Sequence, residues 1–246
     1  MRAKILALLF AFCLVPAVHA REAATPVELG STLSKHVENY DLGSLNFVEA
    51  LIRASSDFEI PMGIAWVDIP AARATRRLVW KDATVQEIIQ AIVNTQPGYQ
   101  LELRNGVAHV SLPSIPEREN FLAIRLKSFA VHNQYSELAS LKLHNLITPP
   151  SYAGISVGGD IEPKITLELE NPTVQDALDA IIVNSAKKIW VVTFIDGGAP
   201  TRAGFRRSRS IWSDSPGLDK HQPAWDFLHW GDKLPPLRVD GTPLTN

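Results

Sequence analysis

Cysteine is almost missing from this 246-residue chain: the only one is Cys13. Its surroundings say what becomes of it. Arg2 and Lys4 precede an uncharged apolar run from Ile5 to Val15, Pro16 closes the run, and Val18-His19-Ala20 offers the medium and small residues a signal peptidase reads. Met1 to Ala20 therefore read as a cleavable secretory signal, cut after Ala20, and Cys13 leaves with it. Phe12, just before the cysteine, is too large for a lipoprotein cleavage site. The exported chain then has no cysteine, which excludes disulfides, thiol catalysis and cysteine-ligated metals in a compartment that would permit disulfides. Long apolar runs are also missing. The leader run is shorter than the roughly 20 residues of a spanning helix, and no later stretch exceeds it. A periplasmic or secreted product without a transmembrane segment is expected.

Charge of one sign is scarce as well. The chain carries 24 basic and 26 acidic residues, and losing Arg2 and Lys4 leaves 22 basic ones. So mild a balance gives no reason to expect nucleic acid as a partner. Glycine-rich phosphate loops are absent, and neither a helical His-x-x-x-His nor another familiar metal spacing occurs, even in the His/Asp-dense stretch Asp219, His221, Asp226, His229 and Asp232. No metal or cofactor is expected. With 46% hydrophobic residues the chain can bury an ordinary globular core.

The chain does contain an internal duplication. Thr84-Val85-Gln86-Glu87-Ile88-Ile89-Gln90-Ala91-Ile92 aligns with Thr173-Val174-Gln175-Asp176-Ala177-Leu178-Asp179-Ala180-Ile181 at a constant offset of 89 residues. Val85, Ile88, Ile89, Ile92 and Val93 form one helical stripe, and Val174, Ala177, Leu178, Ile181 and Ile182 form another. Each helix begins with a capping threonine and an acid three residues later. Strand patterns flank both: Leu78 and Trp80, and Ile165, Leu167 and Leu169, before the helices; Tyr99 to Leu103 and Ile189 to Ile195 after them. Asn105-Gly106 predicts a tight hairpin into Val107 to Leu112. The apolar run Ile189 to Ile195 predicts a strand buried on both faces. Upstream, Ser44 is expected to cap a helix burying Phe47, Val48, Leu51 and Ile52, with an extended Ile60 to Trp66 after it; Tyr135 to Leu146 is its second copy, and Phe121 to Lys127 is expected as a leading strand. The fold class is α+β: after an N-terminal segment (21–39), two small tandem units over residues 40–113 and 120–196, each with a mixed sheet covered by two helices. A linker over 114–119, marked by Pro113 and Pro116, joins them.

The pieces Phe47-Val48-Glu49-Ala50-Leu51-Ile52, Leu78 to Trp80, the Thr84 to Val93 helix and the Tyr99 to Leu112 hairpin, with a second copy over Ile165 to Ile195, resemble the short N-terminal domain shared by secretins and TonB-dependent receptors. The resemblance implies a periplasmic recognition domain that docks partner proteins or relays a signal and has no chemistry of its own. Its partners would be envelope proteins. Small mixed sheets also offer edge strands to which a partner strand can add.

Residues 197–246 form an irregular tail with six prolines, yet it holds Trp212, Trp225 and Trp230, half of the six tryptophans. Aromatics of that area favour either a strap across the two units or anchors for a partner. Arg202, Arg206, Arg207 and Arg209 make a local basic run beside Phe205 and Trp212. Arg206, Arg207, Arg209, Trp212, Trp225 and Trp230 are the candidate partner-binding residues, and the basic aromatic tail could instead attach the chain to cell wall or a membrane surface; the bland reading of the basic run is a solvated loop. Gly154-Ile155-Ser156-Val157-Gly158 matches the G-x-S-x-G pattern of a nucleophile elbow, with His221 or His229 and Asp196 or Asp214 in suitable order. The elbow requires a helix straight after the serine, and Gly158-Gly159-Asp160 followed by Pro163 does not supply one. An envelope hydrolase using Ser156 is therefore the alternative reading, and a non-catalytic binding module is the expected one.

Overall fold

The computed structural model describes residues 26–113, 120–147, 162–196, 205–207, 226–229 and 231–232. The first repeat runs α1 (Pro26–Leu33), β1 (His36–Leu45), α2 (Phe47–Phe58), β2 (Met62–Asp68), α3 (Pro70–Arg73), β3 (Arg76–Thr84), α4 (Val85–Val93), β4 (Gln100–Arg104) and β5 (Val107–Ser111). The second runs β6 (Ser128–Gln134), α5 (Ser136–Ile147), β7 (Ile165–Glu170), α6 (Val174–Asn184) and β8 (Ile189–Asp196), followed by the short strands β9 (Phe205–Arg207) and β10 (Asp226–Leu228). The fold is α+β, as the sequence pattern predicts.

The 89-residue offset extends well beyond the helices that revealed it. α2 and α5 begin and end at equivalent positions, and β3 and β7, α4 and α6, and β4 and β8 each start 89 residues apart. In both repeats the strand before α2 or α5 pairs antiparallel with the strand before α4 or α6, β1 with β3 and β6 with β7. Local chemistry sets the helix starts. The amides of Glu87 and Asp176 donate to the hydroxyls of Thr84 and Thr173 at 3.2 and 3.1 Å, and each carboxylate accepts from its threonine's amide at 2.7 and 2.8 Å. These are the expected capping boxes.

Two local expectations need correction. Ser44 is not a cap: it lies in β1 opposite Arg77, and Asn46 caps α2 instead, exchanging bonds of 3.0 and 3.1 Å with Glu49. The physical reason is spacing, because only a residue three before Glu49 can close the reciprocal box. Phe121 to Lys127 is not a strand: Phe121–Ala123 forms a 3₁₀ turn with Phe121 and Leu122 buried, and β6 begins at Ser128.

The principal sheet has the order β10-β8-β2-β5-β4, with β9 also on the outer edge of β8. One sheet thus serves both repeats, where the sequence suggests a separate sheet for each. β8, from the second repeat, runs parallel to β2, from the first, with Met62 opposite Ile189 and Asp68 opposite Ile195. Both faces are covered. On one, Met62, Ile64, Val110, Ile189 and Val191 pack with Leu51 of α2 and Ile88, Ile89 and Ile92 of α4. On the other, Ala65, Val67, Val107, Trp190, Val192 and Phe194 pack with Leu143 of α5 and Leu178, Ile181 and Ile182 of α6. Residues 189–194 of β8 are buried throughout, as expected of a continuous apolar run in a parallel sheet. The helices of the two repeats therefore cover opposite faces of the sheet. No helix among the described residues is long and apolar enough to cross a membrane.

Candidate interaction surface

β4 is the last strand of the principal sheet and pairs only with β5 among the described strands. The turn between them is Asn105-Gly106, with φ of 54° and 77° at the two central residues. Positive φ at both is the signature of a two-residue primed turn, which makes Arg104 and Val107 a hydrogen-bonded pair. Pairs then alternate along the ladder, so the amides and carbonyls of Leu101 and Leu103 point away from β5 toward the open edge. Gln100, Glu102 and Leu103 are exposed, Leu103 at 44%. Leu101 packs on the core beneath α4. Among the described residues the edge therefore presents unpaired backbone and one exposed leucine.

A buried polar network stiffens this edge from its other face. His109 of β5 and Asp179 of α6 are each about 2% exposed. Gln175 donates to Nδ1 of His109 at 2.8 Å, which leaves the ring proton on Nε2, 3.2 Å from Asp179 Oδ2. The latter contact is not a hydrogen bond but an electrostatic one. The other Asp179 oxygen accepts from Trp190 Nε1 at 2.9 Å. Arg104, at the end of β4, reaches over both carboxylates of α6, with Nη2 3.2 Å from Asp176 and 3.9 Å from Asp179. Burial pushes the Asp176 carboxyl up, but the Thr173 hydroxyl and amide, with Arg104 and Arg125, more than offset this and hold it below the usual carboxylate range. The His109 ring is thus enclosed, with Nδ1 bonded to Gln175 and Nε2 facing the Asp179 carboxylate. The network ties the β4–β5 hairpin of the first repeat to α6 of the second.

Two other clusters lie away from this edge. Glu162 Oε1 is 3.2 Å from Lys187 Nζ and 3.0 Å from His229 Nε2, and Glu162 Oε2 accepts from the buried Ser136 hydroxyl at 2.7 Å. It clasps the segment after β10, whose last residue, Leu228, is buried, and the Gly231 amide donates to Ser56 of α2 at 2.9 Å. The described residues 226–229 and 231–232 thus pack against the principal sheet and α2; the rest of the segment lies outside the described residues. The second feature is a cavity of about 810 Å³ between β1 and α2, lined by Leu42, Leu45, Ile52, Arg53 and acids. Its acids are already committed: Asp41 to Arg77 and the Gly43 amide, Asp57 to Arg53 and Tyr40, Glu49 to the cap, and Asp232 to the His229 amide.

Of the residues singled out in the sequence, Arg206 and Arg207 have their backbone in β9, paired with Ile195 and Phe194 of β8, so the centre of the basic run is a strand rather than a loop. Arg209, Trp212, Trp225 and Trp230 lie outside the described residues, as do the leader, Ser156, Asp214 and His221. His229 is engaged by Glu162 and Lys187. Among the described residues no three His, Cys, Asp or Glu side chains converge to hold a metal ion. Sequence reasoning missed Asp179 as a buried partner. The available signal was the repeat itself, which sets Asp179 against Gln90, a half-buried residue on α4. Compared with known proteins, the chain matches no family model, no curated protein and no solved structure.

Proposed function

We propose that this chain is an exported, non-catalytic protein-binding module of the cell envelope, and that it docks its partner by strand addition at β4. The observation that carries this reading is the open edge: Leu101 and Leu103 direct unpaired amides and carbonyls outward, Leu103 is exposed, and a buried network holds the strand in place. Strand addition draws affinity from main-chain hydrogen bonds and specificity from alternate side chains, both of which this edge supplies. The resemblance of the repeated unit to the secretin and TonB-receptor short domain belongs to the same proposal, as does the periplasmic compartment implied by Met1 to Ala20.

The test compares the parent with Leu103→Pro in cross-linking from intact periplasm. Proline deletes the outward amide of Leu103 but no bond of the β4–β5 ladder, a position where edge strands tolerate it. A partner captured by the parent and lost from the folded variant supports the reading. Equal capture by both sinks it.

A further inference from the structure

The duplication supplies a second copy of the β4 edge whose occupant is visible. β4 and β8 occupy equivalent positions 89 residues apart, and each is followed in the chain by an antiparallel partner, β5 or β9. Viewed along each strand with the helices of its own repeat above, β5 lies on the same hand of β4 as β9 does of β8. The open edge of β4 is therefore the counterpart of the edge on which β8 receives β2. Hydrogen bonding agrees. The Met62 amide donates to the Lys188 carbonyl at 3.0 Å, so that carbonyl and the backbone groups of Trp190 and Val192 face β2, while the Lys188 amide turns the other way to Leu228 of β10. Subtracting the repeat from Trp190 and Val192 leads to Leu101 and Leu103, the residues that face the open edge.

We infer that the partner strand at β4 runs parallel to it, in the register that β2 adopts on β8, and is an extended segment of another polypeptide with apolar residues on the α4 face and polar residues on the other. This inference rests on the proposed binding function and specifies its geometry. In that register the positions opposite Leu101 and Leu103 correspond to Gly63 and Ala65 of β2. Leu101 is far smaller than Trp190, so the glycine that β8 demands is unnecessary here, and valine-sized residues fit over the two leucines. The alternate face meets the exposed Glu102 and the half-buried Arg104. A basic residue opposite Glu102 completes the match.

Orientation is open to direct measurement. The probe is the acetylated, amidated peptide Thr-Val-Lys-Val-Thr, whose palindromic sequence favours neither direction, with cysteine in place of either its first or its last threonine, the position that pairs with residue 100 on the same face. The protein is the full chain with Cys13→Ser and Gln100→Cys. The expected result is disulfide trapping by the N-terminal cysteine at least about tenfold above the C-terminal one, a bias equivalent to about 1.4 kcal/mol. Trapping should fall to background in the Leu103→Pro background and persist with Leu103→Val, which keeps the amide. Preference for the C-terminal cysteine would mean antiparallel addition and overturn the inference while leaving β4 as the docking edge. Failure of both peptides to trap overturns it too, and the binding function is then judged separately by the periplasmic cross-linking of Leu103→Pro.

Discussion

Gly63 of β2 is the position where one added methyl group should do most damage. It sits opposite Trp190 of β8, and a Cβ built on it would lie 2.2 and 2.4 Å from the indole atoms Cζ2 and Cε2. Real carbon–carbon contacts do not come that close. The indole cannot simply step aside, because it is 1% exposed and its Nε1 donates to Asp179. Overpacking of this kind costs about 1–3 kcal/mol. If the indole moves far enough to break the bond to Asp179, an orphaned buried acceptor adds about 1–3 kcal/mol. Gly63→Ala is thus expected to lose about 3 kcal/mol, which at a urea m-value of about 2 kcal/mol/M moves the unfolding midpoint down by about 1.5 M. Gly30 provides the control: it lies in α1 at an exposed position where an added methyl would meet nothing within 4 Å, so Gly30→Ala should gain about 0.5–1 kcal/mol. A double-mutant cycle isolates the cause. In a Trp190→Val background the cost of Gly63→Ala should shrink to under about 1 kcal/mol. An unchanged cost in that background would refute the steric account.

Asp179→Leu should destabilise by about 3–5 kcal/mol, because it leaves His109, Arg104 and the Trp190 indole N–H facing an apolar group, whereas Asp179→Asn keeps an acceptor for Trp190 and should cost less; urea unfolding of the two variants checks the ranking. Thr173→Ala should cost about 1 kcal/mol near neutral pH through loss of the α6 cap. It should also flatten the acid limb. The folded Asp176 carboxyl lies below its unfolded value of about 3.9, so its contribution is present above that pH and is lost as the pH falls through the lower folded value. Urea midpoints at about pH 6 and pH 3 should therefore converge for parent and variant, and a gap that stays constant would contradict this. Leu228→Ala should cost about 2–5 kcal/mol, since that side chain is 6% exposed within the core under β8; thermal unfolding with little change would mean that the strap does not belong to the fold.

The parts of this protein that depend on local rules were legible in the sequence. Capping boxes at Thr84 and Thr173, the helical stripes behind them, the Asn105-Gly106 hairpin and the alternation of β7 each involve residues within a few positions of one another, where backbone geometry and periodicity leave few choices. The repeat was legible for the same reason, and the α+β class followed from it. Where two caps competed, as at Ser44 and Asn46, the choice turned on the pairing of Ser44 with Arg77 across β1 and β3, a contact 33 residues distant. Long-range contacts decided the rest. That β8 would leave its own repeat and lie parallel to β2 depends on the apolarity of both its faces, which demands cover from two sides and which no single repeat supplies. The same insertion brings Asp179 beneath His109 and Trp190, and β4 ends the sheet with β5 as its one neighbour among the described strands. Sequence alone determined the unit and its number of copies; the joining of the two copies through one sheet, and with it the place of β4 at the end of that sheet among the described strands, came from tertiary packing, because hydrogen bonding between distant strands has no local signature.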